Sequence, residues 1–242
     1  MTPEALYCGP PVAPAALAEA WRLDPTAAAL VLGLLVLGHV RAAPRGPVLG
    51  AAALIGVLYL SPLCALAAGL FSARAAHHAL LVAVAAPLLA LAFPARAPRG
   101  LWPALALMTA SLWAWHLPAA YAWGVVGALP YWTMQATLLA PALVFWRAAL
   151  APGEGDRWGE TLVALLLAGM QMGMLGALLT FAGRPLYGVH LLTTAPWGLT
   201  ALEDQQLAGL VMWVPGALPW LTAAAAIAWT ALRPPAARQA AP

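Results

Sequence analysis

Long apolar stretches, separated by short runs rich in Arg, Pro and Gly, dominate the pattern along the chain. A bilayer core is crossed by about 20 apolar residues in a helix. Seven stretches approach that length, at residues 26–43, 47–70, 75–93, 101–117, 129–150, 159–181 and 206–232. The pattern predicts an all-α polytopic membrane bundle of seven transmembrane helices, with an extramembrane segment at 1–24, the helical domain at 25–233 and a short cytoplasmic tail at 234–242.

Composition agrees with a membrane protein and excludes several classes. Of the 242 residues, 64% are hydrophobic and 8% are charged, which does not suit a soluble chain. The net charge of +3 comes from scattered arginines without a basic cluster, so we expect no nucleic-acid partner. No nucleotide loop, zinc-protease motif or serine-hydrolase motif occurs. We therefore do not expect an enzyme.

Arginines are distributed unequally between alternate loops, and cytoplasmic loops collect positive charge. The seven-helix layout places three on one side, Arg22, Arg74 and Arg184. The other side has eight: Arg41, Arg45, Arg96, Arg99, Arg147, Arg157, Arg233 and Arg238. We expect the N-terminus outside and the C-terminus in the cytoplasm.

Cys8 and Cys64 are the two cysteines, and neither belongs to a CxxC or zinc-finger spacing. We expect neither a disulfide framework nor an iron–sulfur site. The first residues lack a basic segment followed directly by an apolar one, so we also expect no cleaved signal peptide.

Histidines collect at one membrane face in this layout. His77, His78, His116 and His190 fall at the outer face, whereas His39 falls near the inner end of the first helix. Imidazoles at one level could form a metal or proton site. The alternative is that each is an interfacial side chain solvated by headgroups.

Methionines add a second candidate feature in the run 169–174. Met170 and Met174 share a helix face and Met172 does not. Thioether and imidazole ligands together would favour copper. The alternative is packing, with Gly173 and Gly176 permitting close approach of helices.

Glu203 and Asp204 are expected to cap the last helix, or to pair with Arg74 or Arg184.

In order along nearly the whole chain, short motifs resemble the CtaG-like family of cytochrome c oxidase assembly factors. They are Trp21-Arg-Leu-Asp24-Pro25, Ser61-Pro62, Leu70-Phe71-Ser72, His78-Ala-Leu-Leu, Ala85-Ala-Pro87-Leu-Leu-Ala90, Trp115-His116-Leu117-Pro118, Phe145-Trp146, Leu178-Leu-Thr180-Phe181, Pro185-Leu186-Tyr187, Asp204-Gln205-Gln206-Leu-Ala-Gly209 and Met212-Trp213-Val214-Pro215-Gly216. The resemblance implies a seven-helix protein of the bacterial inner membrane that helps mature the oxidase by supplying or inserting copper at the outer side.

The chain departs from the family at two histidine pairs. At the first pair, Arg74 stands at the first His position and His77 at the position of a Gln that precedes the second His; in a HisxxxHis pair, Tyr131 and Gln135 take both His positions. What the resemblance leaves as metal ligands is His78, His116 and the shifted His77. Met170, Met174 or Asp204 would have to complete the site, and Arg74 would oppose a bound cation or bind an anion instead.

Three functions remain open at this point. The first is an assembly factor that handles copper at the outer face, in contact with oxidase subunits or other assembly factors in the bilayer. The second is an accessory membrane subunit that docks on a respiratory oxidase and binds no metal. The third is haem ligation by His77 or His78 with His116. The sequence leaves open whether the chain acts alone or as a homo-oligomer.

Overall fold

The computed structural model describes residues 6–94, 100–151 and 157–232. Within them the chain is helical, without a β-sheet, and the expected all-α class is confirmed. The helices are α1 Pro25–Val40, α2 Arg45–Leu60, α3 Leu63–Gly69, α4 Phe71–Leu80, α5 Ala86–Ala92, α6 Leu101–Trp115, α7 Pro118–Gly124, α8 Ala128–Ala149, α9 Trp158–Thr180, α10 Ala201–Trp213 and α11 Leu218–Leu232.

The predicted number of seven membrane spans is wrong. Three helical stretches in the described residues are long and apolar enough to cross a bilayer: Phe71–Ala92, Trp158–Thr180 and Ala201–Leu232. A fourth is reached if α2 and α3, bent by 47° at their junction, form one span. The physical reason is helix length, since α1 has 16 residues and α6 has 15, short of the roughly 20 that a bilayer core requires. In α8, Gln135, Arg147 and several aromatic and hydroxyl side chains interrupt the apolar pattern.

Local sequence explains where the helices begin and break. Asp24 caps α1 by accepting a hydrogen bond from the Ala27 amide at 2.9 Å. Pro62 follows Ser61 at the bend between α2 and α3, where a proline ring disfavours helical geometry in the preceding residue. A 3₁₀ turn over Pro215–Ala217 separates α10 from α11, where the ring of Pro215 interrupts the helix.

Helices α9 and α10 cross closely at two glycines. A Cβ added to Gly209 would lie 2.4 Å from the Gly176 carbonyl oxygen, and one added to Gly176 would lie 2.6 Å from the Gly209 carbonyl oxygen. Small residues permit such close backbone approach in membrane bundles. The packing role considered for Gly176 is therefore correct, and this crossing brings the first turn of α10 to the start of α4.

The N-terminal segment packs on one end of the bundle. Tyr7 stacks on Tyr131 at the start of α8, with ring centroids 4.1 Å apart, and its amide donates to the Val125 carbonyl at 3.0 Å. Cys8 forms a disulfide with Cys64 at the start of α3. The expectation that the cysteines form no such bridge is therefore wrong: 56 residues separate them, and folding brings them together.

Predicted features outside the described residues include Arg96, Arg99, Arg233 and Arg238 and the tail at 234–242.

Candidate functional site

Helix α4 carries two of the three histidines of the candidate site, and its first turn is fixed by a carboxylate from α10. Asp204, fully buried, accepts hydrogen bonds from the Phe71 amide at 2.6 Å and the Ser72 amide at 3.1 Å, and from the Ser72 hydroxyl. A carboxylate at a helix N-terminus satisfies free amides and the positive end of the helix dipole. Asp204 thus caps α4, whereas Glu203 caps its own helix through a capping box with Thr200.

Three imidazoles lie in a row behind this capped turn. The ring centroids of His77 and His78 are 5.8 Å apart, and those of His78 and His116 are 6.4 Å apart. All three side chains are buried. Both ring nitrogens of His77 and the Nε2 of His78 have no hydrogen-bond partner, which is unusual for buried polar atoms. The structure therefore brings together the three histidines predicted as ligands.

His116 follows the last residue of α6 and is oriented by its own backbone. Its Nδ1 lies 2.7 Å from the Leu112 carbonyl oxygen, which can only accept, so Nδ1 bears the proton and Nε2 keeps its lone pair. Burial lowers the pKa of His116 to about 4, against the opposing effect of the Leu112 hydrogen bond. His116 is consequently neutral at physiological pH and can offer Nε2 to a metal ion, the arrangement found for many ligating histidines.

His190 lies at the same end of the bundle but is already engaged. Its Nε2 is 2.7 Å from the Tyr121 hydroxyl, and its Nδ1 is 3.3 Å from the Gly69 carbonyl oxygen. Burial lowers the pKa of His190 to about 4, so the ring is neutral. With both nitrogens engaged, His190 connects the loop before α10 to α3 and α7.

Arg74 is a charged residue one turn before His77 and His78 on α4. It is buried, and its guanidinium lies 3.4 Å from the Tyr131 hydroxyl and 3.7 Å from Cys8 Sγ. The Nε of Arg74 has no partner, and no carboxylate pairs with Arg74 in the described part of the chain. A buried cation beside the imidazoles disfavours a second cation there.

The remaining predicted ligands lie elsewhere. Met170 and Met174 are about half exposed and line a surface groove with Trp213 and Trp220, while the Asp204 carboxylate is occupied by α4. No group of three or more His, Cys, Asp or Glu side chains is placed to hold a metal ion within residues 6–94, 100–151 and 157–232. The imidazole row is thus the whole of the candidate centre.

Sequence reasoning missed the aromatic and sulfur groups that border this row. Tyr59 packs edge-on against His77, with centroids 5.0 Å apart, and donates to Gln135 Oε1 at 3.1 Å. The Tyr131 hydroxyl lies 3.8 and 4.0 Å from the two disulfide sulfurs. A tyrosine inside an apolar stretch was the available signal for Tyr59, since a buried hydroxyl requires a polar neighbour.

These features define the chain as an all-helical membrane protein with a buried row of imidazoles. The row lies at the end of the bundle where a disulfide fixes the N-terminal segment. Comparison with protein families makes the assignment specific. The chain belongs to the cytochrome c oxidase caa3 assembly factor (Caa3_CtaG) family, whose model matches residues 48–234. No curated protein and no solved structure matches the chain. The family resemblance noted in the sequence is therefore confirmed, and the family is not a catalytic one.

Proposed function

We propose that this oxidase assembly factor holds copper transiently at the outer face of the bacterial inner membrane, through His78 and His116 with His77 beside them. The observation that carries the proposal is the row of buried imidazoles with unpartnered nitrogens. Neutral imidazole is a good copper ligand. With metal–nitrogen bonds of about 2.0 Å, two rings bound to opposite sides of one ion have centroids roughly 6 Å apart, close to the His78–His116 separation.

Few ligands and a neighbouring positive charge suit transient binding. The described residues place no thiolate or free carboxylate with the row, the predicted ligands Met170 and Met174 line a surface groove, and Arg74 opposes a bound cation. A factor that transfers its metal to an oxidase subunit requires such weak binding. Copper is in this sense cargo for the protein.

The disulfide supports the outer placement of this end of the bundle. Disulfides form and persist in oxidising compartments such as the bacterial periplasm and are rare in the cytosol. Cys8 and Cys64 lie at the same end as Arg74 and Tyr131, so the disulfide favours an outer position for that end. A fluorescent protein fused to the C-terminus tests on which side of the membrane that terminus lies. We expect the fusion to fluoresce, because the C-terminus is proposed to be cytoplasmic.

Competition with a chromophoric Cu(I) chelator tests the copper proposal. Purified wild type is expected to retain about one Cu(I) per chain, as one site can hold one ion, and the His78→Ala/His116→Ala double variant is expected to retain none. His39→Ala is the matched control, since His39 is exposed at the far end of α1. Equal retention by wild type and the double variant would contradict the proposal, as would a haem Soret band.

Arg74 favours a second function, an accessory subunit that docks on the oxidase without metal. A buried guanidinium, Tyr131 and Gln135 stand where the resemblance leads one to expect histidines. This function predicts that wild type purifies without copper yet co-purifies with oxidase subunits in mild detergent. Copper bound stoichiometrically to wild type and lost in the double variant would exclude it.

A further inference from the structure

A pocket with a cationic rim lies at the turn between α1 and α2. Its volume is about 570 Å³. Two of the described side chains that line it are polar, His39 at the end of α1 and Arg45 at the start of α2. The others are apolar or lack a side chain: Leu35, Gly38, Ala42, Ala43, Val48 and Leu49. The pocket therefore combines positive charge with hydrocarbon walls.

The backbone fixes the shape of this pocket. Helices α1 and α2 meet at its floor, where a Cβ added to Gly38 would lie 2.6 Å from Val48 Cγ1. Ala42 has a φ of +48°, a left-handed conformation that non-glycine residues seldom adopt. The Ala43 amide donates to the Gly38 carbonyl at 2.9 Å and holds the turn. His39 and Arg45 are thus presented side by side without a bound ligand.

The positive charge at this turn has no carboxylate to balance it. Asp24 and Glu154 are consecutive acidic residues in the sequence, so none occurs within α1, α2 or the turn. Neither Arg41 nor Arg45 forms an ion pair in the described part of the chain. All three cationic side chains, those of His39, Arg41 and Arg45, are exposed. An anion is the complementary ligand for this rim.

The apolar walls indicate what kind of anion fits. Arg45 is the first residue of the bent α2–α3 span, so it lies where the apolar part of the bilayer ends. Leu49 is one turn further along α2 and 57% exposed, and Leu35 is one turn before His39 on α1. A soluble anion would cover the rim and leave these leucines bare. A lipid covers both, and basic pockets between membrane helices are known to bind anionic headgroups.

We propose that this pocket binds an anionic phospholipid of the phosphatidylglycerol type. The Arg45 guanidinium donates to the phosphate oxygens, and the His39 imidazole donates a hydrogen bond whether it is neutral or charged. One acyl chain follows Leu35 and Leu49. The proposal is independent of copper binding, since α2 separates the pocket by about 24 Å from the end that carries Cys64.

Native mass spectrometry of the full chain released from detergent tests this site. Phosphatidylglycerol and phosphatidylcholine with the same acyl chains are added at equal concentration. We expect about one phosphatidylglycerol retained per chain, as for a single preformed pocket. It should be preferred over phosphatidylcholine by about 5-fold or more, the contribution of one arginine near an anionic lipid.

Two exposed arginines provide a matched pair of variants. Arg45→Gln is expected to weaken phosphatidylglycerol retention about 5-fold. Arg184→Gln removes the same charge from the loop before α10, at the opposite end of the bundle, and should leave retention unchanged. His39→Ala should weaken lipid retention without affecting Cu(I) retention. The His78→Ala/His116→Ala variant should retain phosphatidylglycerol like wild type, which separates this site from the copper proposal.

Three results would overturn the proposal. Equal retention of the two lipids by wild type would reduce the pocket to an unspecific lipid contact, as would equal retention by Arg45→Gln and Arg184→Gln. Displacement of phosphatidylglycerol by millimolar inorganic phosphate would assign the rim to a soluble anion instead. The two lipids are compared on wild type, so the test holds even if a variant fails to fold.

Discussion

Replacing Asp204 by Asn should destabilise the protein and displace the imidazole row. The carboxylate accepts from two backbone amides and one hydroxyl at the start of α4, and it is fully buried. Asn removes the charge and turns one acceptor oxygen into an NH₂ group that faces these donors. Hydrogen bonds to a charged group contribute about 1.5–3 kcal/mol each. Losing one and leaving a second donor unpaired should cost roughly 3 kcal/mol.

Thermal unfolding in mild detergent, followed by circular dichroism, measures this effect. For a chain of this size each kcal/mol lowers the transition temperature by about 2–4 °C, so we expect a decrease of roughly 6–12 °C. Glu203→Gln is the matched control, because Glu203 lies next in sequence but caps α10 at the exposed surface. It should lower the transition temperature much less.

The same variant links stability to the site. His77 and His78 follow within two turns of the capped residue Phe71 on α4, so Asp204→Asn should also weaken Cu(I) retention. The reasoning would be refuted if Asp204→Asn unfolded within about 2 °C of wild type, less than the shift for 1 kcal/mol. A decrease no larger than that of Glu203→Gln would refute it as well.

Three further predictions concern packing, the disulfide and pH. Gly209→Ala should lower the transition temperature, because its Cβ would lie 2.4 Å from a carbonyl oxygen of α9 and overpacking costs about 1–3 kcal/mol; an unchanged transition would contradict the crossing. Cys8→Ser should cost about 4 kcal/mol, given the 56-residue separation from Cys64, and a reductant should then lower the transition of wild type only. Burial opposes ionisation of Asp24, yet the hydrogen bonds from Tyr7 and the Ala27 amide and the Arg22 charge hold its pKa below the ordinary value. Its stabilisation should therefore be complete above about pH 4 and disappear as the pH falls through the lower folded-state pKa. The transition temperatures of wild type and Asp24→Asn should converge in acid, and a constant difference would contradict this.

Hydropathy predicted where the helices lie but not how many of them are long enough to cross the membrane. Every predicted stretch contains helix, since backbone groups in an apolar environment must pair internally. Apolar length along the chain is nevertheless not helix length: the stretch 26–43 forms the 16-residue α1, and the stretch 47–70 breaks at Ser61. Local proline geometry and capping decide these ends, and a hydropathy window averages over them.

The candidate site was partly predictable for a similar reason. The ends of apolar stretches show which side chains reach one level of the bundle, and this located His78 and His116. Helix periodicity shows that Met170 and Met174 share a face, but not where that face points, and it is about half exposed. The Cys8–Cys64 bridge left no signal in the sequence, because a separation of 56 residues is closed only by tertiary folding.

The departures from the family's histidine pattern form one connected group. Arg74 lies 3.4 Å from the Tyr131 hydroxyl and 5.3 Å from the centre of its ring, so a cation and its aromatic partner occupy two of the altered positions together. Gln135, at a third, pairs with Tyr59. A charged side chain introduced alone into this core would lose its hydration without compensation. The contacts of Arg74 with Tyr131 supply part of that compensation. The altered end of the row is therefore occupied by polar contacts, and the proposed copper ligands His78 and His116 are the histidines that the family pattern retains.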